Sequence, residues 1–264
     1  MPGAWTSALV FVLGLAVGSF LNVVRYRLPR KLDVVSGRSA CPGCNATIAW
    51  YDNVPVVSFI ALRRRCRHCG WQIPWIYPVV ELATAVVFLL VWREAEPRQV
   101  APYLVLSGLL VVSAGIDFDL RIIPDVLTLP GIALGSVFSL TLLGDGSFGE
   151  DLVRLVLGIV VGGGSLAAIA LAYRLVRKIE GLGGGDIKLM AMVGAFLGWA
   201  PALLTIFIGS LVGGVFGVAL AARRPQGLKT AVPFGVFLAP AAIVAMLWGG
   251  DLVGWYLYLV RGPR

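Results

Sequence analysis

Charged side chains are scarce in this chain. Only 14% of its 264 residues are Asp, Glu, Lys or Arg, whereas 58% are hydrophobic. Soluble globular domains carry about 25% charged residues, and so this composition excludes an ordinary soluble fold. It indicates an integral membrane protein.

Histidine is nearly absent as well, since His68 is the only one. The chain therefore has no His-Glu-x-x-His motif, which excludes that class of zinc-dependent hydrolase. His68 stands inside a cysteine pair, and so no histidine is left in the apolar runs to activate a serine. Elimination therefore favours carboxylates as the source of any hydrolytic chemistry.

Long apolar runs make up most of the chain. A membrane-spanning helix needs about 20 residues, and eight runs reach or approach that length. They cover residues 7–24, 77–92, 101–116, 126–143, 152–173, 187–200, 202–221 and 232–250. We therefore predict an all-α polytopic membrane protein of about eight transmembrane helices.

Basic residues indicate the orientation of these helices. The first run is followed, not preceded, by Arg25, Arg27, Arg30 and Lys31, which predicts an uncleaved span with its N-terminus outside. Alternation from there places 17 of the 22 Lys and Arg residues on the cytoplasmic side. Orientation and contact with anionic lipid thus account for the net charge of +8, and no nucleic-acid binding is expected.

All four cysteines lie in one polar stretch, residues 26–76, which we call the cysteine segment. Cys41 and Cys44 form one Cys-x-x-Cys pair, Cys66 and Cys69 form another, and 21 residues separate the two pairs. Four thiolates in this arrangement can complete a tetrahedral zinc site. Two disulfides or a redox pair are the alternatives, but the cytoplasmic side is reducing and favours zinc. His68 is expected to be an exposed residue and not a ligand.

Asp186 lies in an unusual setting, the glycine-rich segment EGLGGGDIK of residues 180–188. Its glycines let another backbone approach the carboxylate closely. A second carboxylate, Asp117, ends the third apolar run, and alternation of the spans places both residues at the same cytoplasmic depth. Asp119 lies nearer the loop and is expected to be in water. Asp125 is expected to cap the next helix.

Two carboxylates that face one another near the membrane cannot both stay ionised, and so they share a proton. The ionised one can take a proton from water while the protonated one donates to a peptide carbonyl, which is aspartyl proteolysis. Paired membrane carboxylates also relay protons or bind cations, so a transporter remains an alternative. A scaffold that recruits partners through the cysteine segment is a third.

Two further features stay ambiguous or ordinary. Glu81 begins the second span, where it either binds a ligand or favours the helix N-terminus through the helix dipole. The glycines 162–164 have no charged neighbour and no preceding strand, so they predict close helix packing and not a phosphate site.

Several motifs together resemble the bacterial type IV prepilin peptidases, which are aspartyl proteases with a Gly-x-Gly-Asp signature. The resemblance covers nearly the full length. It rests on EGLGGGDIK at 180–188, GSFLNVV at 18–24, YRLP at 26–29, the four cysteines, DNVPV at 52–56, YPVVEL at 77–82 and IPD at 123–125. One departure is Val236, where the family commonly has proline.

The resemblance implies an enzyme that cuts the basic leader from prepilins and pseudopilins after a glycine at the cytoplasmic face. The family pattern places its two catalytic aspartates at Asp117 and Asp186. It implies that Gly183, Gly185 and Lys188 belong to the active-site loop that meets the substrate.

Members with the cysteine segment also methylate the new N-terminus from S-adenosylmethionine. Glu81 is the one residue that we suggest for binding this cofactor, and zinc is expected as a structural metal on Cys41, Cys44, Cys66 and Cys69. The expected organisation is a first transmembrane helix at 1–25, a methyltransferase region in the cysteine segment and a peptidase domain at 77–264. The expected location is the inner membrane.

Overall fold

A computed structural model describes residues 3–35, 37–178, 182–222 and 233–261 of the chain. In these ranges the protein is helical, and the only strand-like pairings are two isolated bridges in the cysteine segment. Glu180 and Gly181, which open the glycine-rich motif, lie outside the described residues.

Eight long helices stand where the eight apolar runs predict them. A ninth, short helix, α2 (Val57–Ala61), lies in the cysteine segment. The long helices are α1 (Ala4–Arg27), α3 (Ile76–Glu94), α4 (Pro97–Leu120), α5 (Asp125–Thr141), α6 (Phe148–Arg177), α7 (Gly184–Leu197), α8 (Trp199–Ala222) and α9 (Gly235–Arg261). Two 3-10 turns, Leu28–Arg30 and Trp50–Asn53, complete the helical elements of the described ranges.

Six of these helices are long and apolar enough to cross a membrane. They are α1, α3, α4, α6, α8 and α9, whereas α5 is a shorter apolar helix of 17 residues and α7 has 14. At about 1.5 Å per residue, α7 is about 21 Å long, less than the roughly 30 Å hydrocarbon core. The all-α, multi-pass membrane architecture is therefore confirmed, with two of the eight helices shorter than a full span.

The chain divides into two compact units, Met1–Ala95 and Glu96–Arg264. In the first unit, α1 packs along α3 at very short range. A methyl group placed on Gly18 would lie 2.7 Å from the Cα of Glu81, and one on Gly14 would meet the backbone of Ala85. Glycine is needed at both positions because the two helix backbones touch, as is common for helices in membranes.

In the second unit, α7 is the central helix. Every residue from 189 to 197 is buried, and α5 and α6 pack against it. Small residues permit this close packing: Gly158 and Gly162 of α6 meet the α7 backbone at Gly194 and Met190. The prediction that the glycines at 162–164 serve helix packing is confirmed for Gly162 and Gly163. Since α7 begins at Gly184, this packing fixes the position of Asp186.

Candidate active site and metal centre

Asp117 lies in the last turn of α4 and is buried, with 5% of its surface exposed. The helix ends at Leu120, and the next residue, Arg121, has a left-handed backbone and donates its N–H to the Asp117 carbonyl. A carboxylate at a helix C-terminus is disfavoured by the helix dipole. Here the N-terminus of α9 offsets this, because the backbone N–H groups of Gly235 and Val236 interact with the Asp117 carboxylate.

Asp186 occupies the first turn of α7, where the helix dipole favours a negative charge. It is also buried, at 8% exposure. The backbone N–H of Gly183 interacts with its carboxylate, and the Asp186 N–H donates to the Gly183 carbonyl at 3.1 Å. Gly183 therefore positions Asp186 at the start of the helix.

The two carboxylates are close enough to interact electrostatically. Ile123, in the loop between α4 and α5, brings their segments together. A methyl group on Gly185 would lie 2.9 Å from the Cβ of Ile123, and one on Gly235 would lie 2.9 Å from its Cδ1. Ile123 thus fills the space between the N-termini of α7 and α9. The structure brings Asp117 and Asp186 into one site, at adjoining ends of three helices.

One oxygen of this site has no partner among the residues that the structure describes. It is Oδ2 of Asp117, which is buried. Buried polar atoms are nearly always satisfied, and an exception calls for an explanation. A carboxyl oxygen that the protein leaves unpaired is available to a water or a substrate group.

Lys188 lies one turn beyond the start of α7, and its side chain forms an ion pair with Asp125. Its Nζ lies 2.7 Å from both oxygens of Asp125. The prediction that Asp125 caps α5 is wrong, because Pro124 takes the cap position and Asp125 is the first helical residue. The Asp125 carboxylate instead joins the N-terminus of α5 to that of α7. Asp119 is exposed, as predicted.

The four cysteines form one cluster, with all four sulfurs within 4.8 Å of one another. The Sγ atoms of Cys41 and Cys69 are 3.8 Å apart, too far for a disulfide. All four cysteines are free thiols. A tetrahedral zinc site with Zn–S bonds of about 2.3 Å has sulfurs about 3.8 Å apart. The donor set therefore fits a metal ion, and the disulfide alternative is wrong.

The two cysteine pairs have the same backbone form. In each, the first cysteine's N–H donates across the turn, to Ala46 in one pair and Trp71 in the other. The residue after the second cysteine, Asn45 or Gly70, has a positive φ of 55° or 73°. Asn and Gly tolerate this conformation best, which explains their places after the pairs. His68 is exposed and outside the sulfur cluster, as predicted.

The backbone around the cluster favours a thiolate. N–H groups of Cys69 and His68 donate to the Cys66 sulfur and lower the pKa of this thiol to about 6. The N–H of Trp71 acts in the same direction on Cys69, but desolvation and the neighbouring sulfurs outweigh it and raise the pKa of Cys69 to about 12. Four crowded sulfurs cannot all ionise alone, and a bound cation removes that cost.

Glu81 is buried between α1 and α3 and holds a strained turn. It lies beyond the first turn of α3, which starts at Ile76. The alternative that it serves the helix dipole is therefore wrong. Its Oε2 accepts from the N–H of Val56 at 2.8 Å, and Val56 has a φ of 61°, which is costly for a β-branched residue.

Three contributors to these sites were missed in the sequence. One is Ile123, which acts through side-chain packing. Another is the pair of backbone N–H groups of Gly235 and Val236, which interact with the Asp117 carboxylate. The third is Asn22, whose buried amide is described below. Their only sequence signal is that each falls in or beside a family motif.

Comparison with known proteins adds two family matches. Residues 12–95 match the bacterial peptidase A24 N-terminal domain, and residues 104–218 match the type IV leader peptidase family. No solved structure matches.

Three similar relatives are each named prepilin leader peptidase/N-methyltransferase. The protein of Aeromonas salmonicida is 36% identical over 95% of this chain and 93% of its own length. That of Pseudomonas putida is 36% identical over 96% and 94%. That of Pseudomonas aeruginosa is 37% identical over 93% and 91%.

Proposed function

Because this chain belongs to the type IV leader peptidase family, we propose that it is a membrane aspartyl endopeptidase. It cleaves the leader from type IV prepilins and pseudopilins after a glycine, and it then methylates the new N-terminus. The observation that carries the peptidase activity is the pair of buried carboxylates, Asp117 and Asp186, which interact across the ends of α4 and α7.

Catalysis needs one carboxylate ionised and one protonated, which two like charges in a buried site favour. The ionised one takes a proton from water as the water attacks the scissile carbonyl. The protonated one donates to the carbonyl oxygen, and the carboxyl that took the proton from water later passes it to the leaving amine. The unpaired Oδ2 of Asp117 supports a role for this residue in contacting water or the peptide.

Gly184, two residues before Asp186, leaves room for substrate. No described atom outside its own helix and chain neighbours lies within 4 Å of an added methyl group. An extended peptide can therefore approach the start of α7 along its backbone. We assign Gly183 and Gly185 to the active-site loop because Gly183 interacts with the Asp186 carboxylate and Gly185 packs against Ile123. Lys188 supports the loop through Asp125.

The cysteine cluster binds zinc in this proposal. Four sulfur donors at tetrahedral spacing suit Zn²⁺, whose role here is structural. The cysteine segment has no strand ladder or large core of its own within the described residues, and so the metal holds its two turns together.

S-Adenosylmethionine is the methyl donor. When bound, it would supply a methyl group to the free α-amine of the new N-terminus. The N–C bond forms as the C–S bond breaks, the sulfur keeps the electron pair of that bond, and the amine loses a proton. The N-terminal unit, which carries the cysteine segment, is the region that we assign to this reaction.

The enzyme lies in the inner membrane with its N-terminus outside and the cysteine segment in the cytoplasm. The distribution of Lys and Arg supports this orientation. It places Asp117 and Asp186 on the side from which basic leaders arrive. The relatives are named as enzymes, which favours this function over the transporter alternative.

The test is mass spectrometry of a prepilin incubated with the purified protein in lipid, with and without S-adenosylmethionine. We expect cleavage after the leader glycine in both samples, and one added methyl group only with the donor. Asp186→Asn should give neither cleavage nor methylation of the uncut substrate. Proton or cation flux without cleavage would instead favour the transporter.

A further inference from the structure

A cavity of about 390 Å³ lies in the N-terminal unit, next to the cysteine cluster. Small-molecule sites have volumes of about 300 to 1,000 Å³. Its wall includes Asn22 and Tyr26 of α1, Asp52 and Phe59 of the cysteine segment, and Tyr77 and Glu81 of α3. The cavity lies wholly within this one unit and takes no part in the carboxylate site.

Asn22 shows that the cavity is suited to a polar ligand. Only 4% of its surface is exposed. Its Nδ2 donates to the Tyr77 carbonyl at 3.0 Å, but its Oδ1 is buried without a hydrogen-bond partner among the described residues. A buried acceptor left unsatisfied by the protein is explained when a ligand brings the donor.

Glu81 places a buried carboxylate on the same wall, at 7% exposure. It accepts the Val56 N–H and interacts with Ser19. A carboxylate can accept about four hydrogen bonds, so it retains capacity for another donor. The interactions that the described residues make with this carboxylate include no cation. Burial without one is unfavourable, and a cationic ligand would offset this.

The two arginines on the wall already have partners. Arg27 donates to the carbonyls of Gly37 and Arg38, at 2.7 and 2.8 Å. Arg67 makes a two-pronged pair with Asp52, at 2.9 and 2.6 Å. Tyr26 and Phe59 add aromatic rings to the wall, and each ring has one neighbour, Arg30 over Tyr26 and Trp75 beside Phe59. The cavity therefore suits a ligand that joins a positive charge to a flat ring.

We propose that this cavity binds S-adenosylmethionine and that Asn22 and Glu81 are its polar contacts. The ligand has a sulfonium, an ammonium group and a flat adenine, which match the carboxylate, the unpaired amide oxygen and the aromatic surface. This inference rests on the methyltransferase activity proposed above. It adds Asn22 as a binding residue, and it gives Glu81 a second role besides holding Val56.

Binding of S-adenosylmethionine to the purified full-length protein, measured by equilibrium dialysis, tests the proposal. Asn22→Leu removes the unpaired oxygen at similar size. Glu81→Gln keeps an acceptor for Val56 and removes only the charge. We expect each to weaken binding by tenfold or more. Thr84→Val, a buried change on α3 away from the cavity, should bind like wild type.

Zinc content and melting temperature, measured in the same samples, report folding. If Asn22→Leu and Glu81→Gln are folded and bind the donor as tightly as wild type, the assignment of the cavity is wrong. The same holds if they bind the donor normally but no longer methylate a leaderless peptide, because the cavity would then hold the peptide.

Wild-type methylation separates this inference from the function on which it rests. If wild type binds and methylates while the variants bind equally well, only the cavity assignment fails. If wild type neither binds the donor nor methylates a peptide that already carries the mature N-terminus, the methyltransferase activity fails and the cavity assignment fails with it. Leader cleavage is scored separately and is independent of both.

Discussion

Gly185 and Ile123 are in direct contact at the centre of the carboxylate site. A methyl group on Gly185 would lie 2.9 Å from the Cβ of Ile123 and 3.1 and 3.2 Å from its carbonyl oxygen and amide nitrogen. Two of these atoms are backbone and cannot turn away. The start of α7, and with it Asp186, is therefore placed by the backbone of the loop that follows Asp117.

Gly185→Ala should disrupt this contact. We expect leader cleavage to fall about 100-fold, because displacing a catalytic group by about 1 Å can cost that much. The measurement is the initial rate of cleavage of a prepilin in lipid. Gly108→Ala, on α4, is the control, since no described atom outside its own helix and chain neighbours lies within 4 Å of its added methyl group. Equal rates for the two variants would contradict the proposed role of this contact.

Gly235→Ala should impair cleavage by a different route. Its added methyl group would lie 2.9 Å from both Asp117 Oδ2 and Ile123 Cδ1, which are ends of side chains. These atoms can move, so we expect the melting temperature to change little while the rate falls at least about tenfold. Gly250→Ala, on the same helix in open space, should keep both values. A wild-type rate for Gly235→Ala would show that the position of Asp117 is unimportant.

Lys188 and Asp125 should act as a pair. Both are partly exposed, so their ion pair contributes no more than about 1 kcal/mol to stability. Its proposed role is to hold the N-termini of α5 and α7 together. Lys188→Met and Asp125→Asn should then slow cleavage equally, and the double variant should be no slower than either. A larger effect of Lys188→Met alone would indicate direct contact with substrate.

Cys66→Ser should remove the metal, because the site needs all four thiolates. We expect bound zinc, measured by atomic spectroscopy on the purified protein, to fall from one per chain to near zero. Limited proteolysis should then cut the cysteine segment faster. His68→Ala is the control and should keep its zinc, since His68 lies outside the sulfur cluster. Full zinc content in Cys66→Ser would rule out the proposed site.

The architecture and the cysteine cluster could be predicted from the sequence because their signals are local. Run lengths gave the positions of all eight long helices, and Cys-x-x-Cys spacing predicted the sulfur cluster. The run at 187–200 predicts a span, whereas α7 has only 14 residues and is shorter than one. The burial of α7 among α5 and α6 could not be predicted in the same way. It depends on glycines whose contacts with α7 appear only in the folded structure.

Other features could not be predicted because they join distant residues or involve backbone atoms. Lys188 and Asp125 are 63 residues apart, and Glu81 reaches Val56 across 25. The N–H groups that face Asp117 come from the start of α9, and any residue except proline supplies such a donor. Val236 therefore provides one that the family's usual proline lacks.

The central claim is that Asp117 and Asp186 are the catalytic pair, and the most direct test compares two aspartates on one helix. Asp117 is buried in the last turn of α4, and Asp119 is exposed two residues later. The measurement is the initial rate of leader cleavage by Asp117→Asn and Asp119→Asn in lipid, with Asp186→Asn alongside. We predict that Asp117→Asn and Asp186→Asn each lose about 100- to 10,000-fold and that Asp119→Asn stays within about threefold of wild type. If Asp117→Asn cleaves as fast as Asp119→Asn, the proposed mechanism is wrong.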